Sequence, residues 1–237
     1  MIPSTRSKNS CLQKGCEFIQ ISIPQIQLRE VLHFLGWRGT PVDERTLDQI
    51  QQMTDIVRKE ITAHVVTGRF ALDGHKQLTD TVFSPAGADV CNLLASCDAA
   101  ILLAATLGSQ SERLLLRQQA RSASDALIMD AVLSAAIEAV CDEQEEAIRK
   151  AAAQEGYYLT DRFSPGYGDM PLSQTREICA VLRAEHCIGL TVSSSGIMIP
   201  RKSVTAIMGL SQIPQKRRPC ACAMCSMRQT CALRIKN

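Results

Sequence analysis

Aromatic side chains are scarce in this chain of 237 residues: one Trp, three Tyr and five Phe, or 4%. A core must therefore be built from aliphatic and small residues, and an aromatic platform for stacking bases has little to draw on. A surplus of one charge is missing as well. Lys and Arg number 26 against 24 Asp and Glu, a formal net charge of +2. That excludes the strongly basic field by which phosphate backbones or anionic membranes attract a protein. The local run Lys216-Arg217-Arg218 reads as a solvated stretch rather than a phosphate patch. Neither a nucleic-acid nor a membrane partner is expected.

Long hydrophobic runs are absent too. The most apolar stretch, "AAILLAATL" at 99–107, falls far short of the roughly 20 residues a membrane-spanning helix needs. The opening "MIPSTRSKNSCLQKG" is polar and lacks the apolar centre of a secretory leader. With that opening, the 11 cysteines read as reduced thiols of a cytoplasmic protein, not as a disulfide scaffold. Several catalytic signatures are missing: no GxGxxG, no P-loop lysine, no HExxH and no GxSxG. His33, His64, His75 and His186 are scattered and form no close pair. The run Ser193-Ser194-Ser195-Gly196 reads as a turn between strands rather than a nucleophile.

What is present is a globular composition, 46% hydrophobic and 21% charged, at a length suited to one substantial domain. Residues 1–15 read as a flexible N-terminus, 16–210 as the domain and 211–237 as a Cys-rich tail. "CEFIQISI" at 16–23 predicts an edge strand closed by Pro24. Val31, Leu32, Phe34 and Leu35 predict a short helix ended by Gly36. Asp43 is a good N-cap for a helix whose apolar stripe is Leu47, Ile50, Met53, Ile56 and Val57.

Strands are expected over 65–72 and 81–83, a helix over 88–96 and a buried strand over 99–107. Helices follow over 111–121 and 122–154, the second with Glu143, Glu145 and Glu146 facing water. After them come a helix over 173–185 and two β-like runs, "CIGLTV" and "SVTAIMGL". Helices and strands mix without a βαβ period. The expected class is α+β, a mainly antiparallel twisted sheet packed with several helices.

One loop stands out chemically: "RFSPGYGDMPL", 162–172. Arg162 offers a fork of donors suited to a carboxylate or phosphate. Pro165 and Gly166 permit a tight turn that brings backbone close to a ligand, and Tyr167 adds an aromatic face and a hydroxyl. Asp161 and Asp169 are acids suited to an ammonium group. Together these suit an amino-acid-like ligand, although the same composition also serves an ordinary surface turn.

Two motifs in order, "RFSPGYGDMPL" and "IGLTVSSSGIMIPRKSVTAIMG" at 188–209, resemble the S-adenosylmethionine-binding activation domain of cobalamin-dependent methionine synthase. The matching residues are Arg162, Pro165, Gly166 and Tyr167; then Gly189, Leu190 and Thr191; then Met198, Pro200, Ser203 and Val204. "REVLHFLGWRG" and "LLAATLG" match more loosely, and look like free-standing relatives of that domain. The resemblance implies an activator that presents S-adenosylmethionine to cob(II)alamin held by a methionine synthase or another corrinoid methyltransferase. A reductase or flavodoxin would supply the electron. It implies that Arg162 pairs with the ligand carboxylate. Backbone at Ser164 and Gly166 would meet the ligand, next to Pro165, and Tyr167 would pack beside the sulfonium or ribose. Two positions depart from the family: Val192 stands where the large synthases carry an acid, and Met208 where they carry a tyrosine.

A second constellation is "CACAMCSMRQTC", with Cys220, Cys222, Cys225 and Cys231. Four thiols at this spacing suit zinc or an iron–sulfur cluster, and equally fit a tail of free thiols. The alternative function is then a non-catalytic docking or electron-transfer module for a corrinoid methyltransferase. Cys91, Cys97, Cys141, Cys179 and Cys187 fall on apolar faces and are expected in the core.

Overall fold

The stretch 99–106 is small or aliphatic at nearly every position, and in the computed structural model of the protein it becomes the central strand of a five-stranded sheet. The structure describes residues 16–37 and 41–215. Three long strands pair in sequence: β1 (Cys16–Ser22), β2 (Thr62–Ala71) and β3 (Ala99–Thr106). The last strand, β7 (Ser203–Ser211), returns to β3, and the two-residue β4 (Tyr158–Leu159) closes the far edge. The order is β1-β2-β3-β7-β4, and every pairing is antiparallel. The α+β class is as the sequence predicts, and β1 is the expected edge strand.

β3 is buried along its whole length because helices cover both faces. On one face Val65, Ile101, Leu103 and Met208 pack with Val57, Met129 and Leu133. These come from α2 (Glu44–Glu60) and α5 (Ala123–Gln154), beside α1 (Leu28–Phe34) and α4 (Gly108–Gln119). On the other face Val66, Leu102 and Ile207 meet Leu94, Ile178 and Ala184. These belong to α3 (Ala88–Leu94), α6 (Gln174–Val181) and α7 (Ala184–Ile188). A strand covered on both faces loses its polar alternation, which explains the continuous apolar run.

α2 starts where expected: the Asp43 carboxylate accepts from Thr46 N at 3.0 Å and from Thr46 Oγ1 at 2.7 Å. Those bonds hold the Asp43 carboxyl below its ordinary pKa. α5 spans 32 residues with Ser122 as N-cap and is free of Gly and Pro, so nothing interrupts its roughly 48 Å. No helix among the described residues is long and apolar enough to cross a membrane.

Four local expectations are corrected. Residues 81–83 form no strand: 81 and 82 are bends and 83 is irregular. The single helix expected over 173–185 is two, because Arg183 takes a left-handed φ of 50° between α6 and α7. "CIGLTV" is not a strand throughout: Ile188 ends α7, and only β5 (Thr191–Val192) is extended. Cys91 is exposed, and Cys187 is half-buried; Cys97, Cys141 and Cys179 are buried as expected. β5 pairs with β6 (Met198–Ile199), and Ser193–Gly196 make the turn between them, as read. Ser193 N donates to Ile197 O at 2.8 Å to close it.

Candidate functional site

The 162–172 loop is launched from an irregularity in the edge strand. Tyr158 pairs with Ser211 and Leu159 with Leu210. Thr160 N donates to Gly209 O at 2.9 Å, in the same register. Phe163, however, exchanges both backbone bonds with Ile207 at 2.9 Å each. Asp161 and Arg162 therefore face one residue, Met208, which defines a β-bulge.

The extra residue decides where Arg162 points. Leu159 packs on the α5 face and Phe163 on the α6 face. Strict alternation would have put them on the same face; one inserted residue moves every later side chain across. Arg162 thereby reaches α5. Its Nη2 lies 2.5 Å from Asp142 Oδ1 and 3.5 Å from Glu138 Oε2, and its Nε 2.9 Å from Glu145 Oε2. Positions 138, 142 and 145 are four and three residues apart, hence on one helix face.

The guanidinium is largely enclosed, its side chain 17% exposed, and Nη1 is buried without a hydrogen-bond partner. Burial works against its charge, but Cys141, Glu138, Asp142 and Glu145 outweigh it and raise its pKa. Burial pushes the Glu138 carboxyl up against the pull of Arg162. Burial also raises the Cys141 thiol, to about 12, although Arg162 opposes it.

Arg149 braces the bulge. Its guanidinium donates to Leu159 O, to Glu145 at 2.7 Å and to Asp161 at 3.4 Å. Asp161 is thus tied to a guanidinium. Around Arg162 and Arg149 stand four carboxylates, those of Glu138, Asp142, Glu145 and Asp161. The cluster carries a surplus of negative charge.

Beyond Phe163 the chain turns tightly. Tyr167 N donates to Ser164 O at 3.1 Å, Met170 N to Tyr167 O at 3.1 Å and Gly166 N to Met170 O at 2.9 Å. Gly166 has φ +90°, a conformation closed to most L-residues. Pro165 and Met170 are buried and anchor the turn, whereas Gly166 and Tyr167 are exposed, Tyr167 at 65%. Asp169 does not stand free for an ammonium group. Its carboxylate accepts from Ala88 N at 2.6 Å and Asp89 N at 3.0 Å, capping α3, and the Asp89 and Ala88 amides hold its pKa low.

Two neighbours complete the surroundings. Leu172, itself exposed, lies 3.3 Å from where a Cβ on Gly166 would sit, so a side chain there would crowd it. Arg176 of α6 donates to Ser193 O at 2.5 Å, fastening the β5–β6 hairpin beside the loop.

Of the residues singled out in the sequence, the structure gathers Ser164, Pro165, Gly166 and Tyr167 into one turn and sets Arg162 just before it against α5. It adds Glu138, Asp142, Glu145 and Arg149. The sequence signal for the three carboxylates was an acidic stripe on the α5 pattern; Glu145, expected to face water, is only 18% exposed and turned inward. Met208 is fully buried on the α5 face of the sheet and Val192 is half-buried in β5. The set Cys220, Cys222, Cys225 and Cys231 lies outside the described residues, as does Lys216-Arg217-Arg218. Among the described residues no group of three or more His, Cys, Asp or Glu is placed to hold a metal ion.

The class these features define is an α+β domain in which a bulged edge strand delivers an Arg-x-x-Pro-Gly-Tyr turn between a long helix and a small hairpin. A solved structure of similar fold is the MetH reactivation domain bound to AdoHcy. It aligns with a TM-score of 0.61, over 86% of this chain and 80% of that chain, at 16% identity. No protein-family model matches the sequence, and no curated protein matches it. The fold expected from the two motifs is the fold observed.

Proposed function

We propose that this protein binds S-adenosylmethionine at the 162–167 turn and serves as an activator of a cobalamin-dependent methionine synthase or another corrinoid methyltransferase. The observation that carries the reading is the shared fold with a reactivation domain bound to AdoHcy, joined to the Arg162–Tyr167 turn at its edge strand.

The residues present fit such a ligand. A buried guanidinium nitrogen without a partner, Arg162 Nη1, is a donor suited to a carboxylate oxygen. The surplus carboxylates on α5 suit an ammonium or sulfonium. Backbone at Ser164 and Gly166 is brought to the surface by the tight turn, with Tyr167 as an exposed aromatic face for the adenosine portion. S-adenosylmethionine supplies a methyl group when bound. The chain's own part is to hold and orient it, while the partner holds the corrinoid and a reductase or flavodoxin gives the electron.

The test is calorimetric titration of S-adenosylmethionine and S-adenosylhomocysteine into the protein, alone and with a cobalamin-loaded fragment of methionine synthase. Binding that tightens with the fragment supports the activator. Binding without any effect of the fragment points to a different corrinoid partner. Absence of heat in every titration overturns the reading.

A further inference from the structure

The three carboxylates around Arg162 are not equivalent. Glu145 is 18% exposed and shared between Arg162 and Arg149, so it is held by two guanidinium groups. Glu138 stands farther off, at 3.5 Å. Asp142 is different: its side chain is 72% exposed, and it accepts a hydrogen bond from Arg162 Nη2 at 2.5 Å.

The geometry of the fork makes that contact consequential. A guanidinium offers carboxylates two paired edges, Nε with Nη2 and Nη1 with Nη2. Glu145 takes Nε. Asp142 holds Nη2, the nitrogen common to both edges, while Nη1 is buried without a hydrogen-bond partner. A ligand carboxylate arriving in two-point fashion on either edge competes with Asp142 for Nη2.

We propose that Asp142 is a latch on the ligand site, its carboxylate standing in for that of the amino-acid portion of the ligand and leaving when the ligand binds. This rests on the reading of the turn as a nucleoside–amino-acid site. Asp142 is the carboxylate suited to leave: its side chain is already 72% exposed, so it gives up little by returning fully to water. Glu138 and Glu145 keep Arg162 charged and oriented while the exchange takes place.

The test compares the unmodified protein with Asp142→Asn, titrating S-adenosylhomocysteine, a zwitterion of zero net charge, and 5′-methylthioadenosine, which has the nucleoside and thioether but no carboxylate. The latch requires the variant to bind S-adenosylhomocysteine more tightly, by about two- to fivefold, the modest worth of a pair with one solvated partner. Its affinity for methylthioadenosine stays unchanged. Equal or weaker binding of S-adenosylhomocysteine by the variant overturns the latch and leaves the site intact. Tightening of both ligands overturns it too, since that reports general loosening. Failure of both proteins to bind either ligand overturns the site itself. Asp142→Ser gives the same readout should the asparagine variant not fold.

Discussion

Thr160 and Gly209 are joined by two hydrogen bonds of different kinds: Thr160 N donates to Gly209 O at 2.9 Å, and Gly209 N donates to Thr160 Oγ1 at 2.8 Å. The side-chain hydroxyl thus takes over a ladder position that a backbone carbonyl fills in a regular pair. Immediately after it the strand bulges, and Arg162 turns towards α5. Thr160 is 4% exposed, so the Gly209 amide has no water to fall back on.

Thr160→Val keeps the shape and removes that acceptor. A buried donor left unpaired costs about 1–3 kcal/mol, and urea unfolding of the variant is expected to show a loss in this range. S-adenosylmethionine binding should weaken alongside, because the bulge that aims Arg162 is no longer pinned. An unchanged unfolding midpoint would show that the hydroxyl does not hold the bulge.

Arg162→Ala is expected to weaken S-adenosylmethionine binding by about 1.5–3 kcal/mol, the worth of a hydrogen bond to a charged group. It should also lower stability, since Glu138 and Glu145 lose the charge that faces them. Arg162→Lys restores the charge but not the planar fork, and should recover stability more than affinity. Calorimetry and urea titration on the same samples separate the two effects.

Acid should loosen the loop before it unfolds the core. Asp169 has a folded-state pKa below its ordinary value because it caps α3 through the Asp89 and Ala88 amides. A depressed carboxyl contributes stability that is fully present above the unfolded value of about 3.9 and lost as pH falls through the lower folded value. Hydrogen exchange at Ala88 and Asp89 is expected to accelerate across that window, and Asp169→Ala should show fast exchange there at every pH. Exchange at these amides that tracks global unfolding would refute the cap's local role.

Alkylation at neutral pH should separate the cysteines by burial. Cys91 is exposed and should react readily with iodoacetamide in the folded protein. Cys97 is pushed up to about 11, and Cys141 and Cys179 to about 12, each chiefly by burial. Thiols that stay protonated and buried are poor nucleophiles. Peptide mass spectrometry is expected to find these three unmodified until denaturant is added.

Much of the fold was legible because periodicity reports burial directly. The stripe Leu47 to Val57 behind Asp43 gave α2, and the unbroken 99–107 run gave a strand covered on both faces. The errors came where local pattern competes with chain geometry. The residues 187–188 are as apolar as a strand, yet they complete α7, because Arg183 in a left-handed conformation restarts the helix. Residues 81–83 carry β-formers without a neighbouring strand to pair with.

The sequence by itself determined the α+β class, the cap of α2 and the chemistry available in the Arg-x-x-Pro-Gly-Tyr turn, since these depend on residue type and near-neighbour spacing. The tertiary structure alone decided what Arg162 faces. One extra residue opposite Met208 reverses the side-chain alternation of the edge strand, and brings the arginine to Glu138, Asp142 and Glu145, residues 24, 20 and 17 positions away in the chain. Register across a sheet is set by the partner strand, and no local pattern within residues 158–163 encodes it.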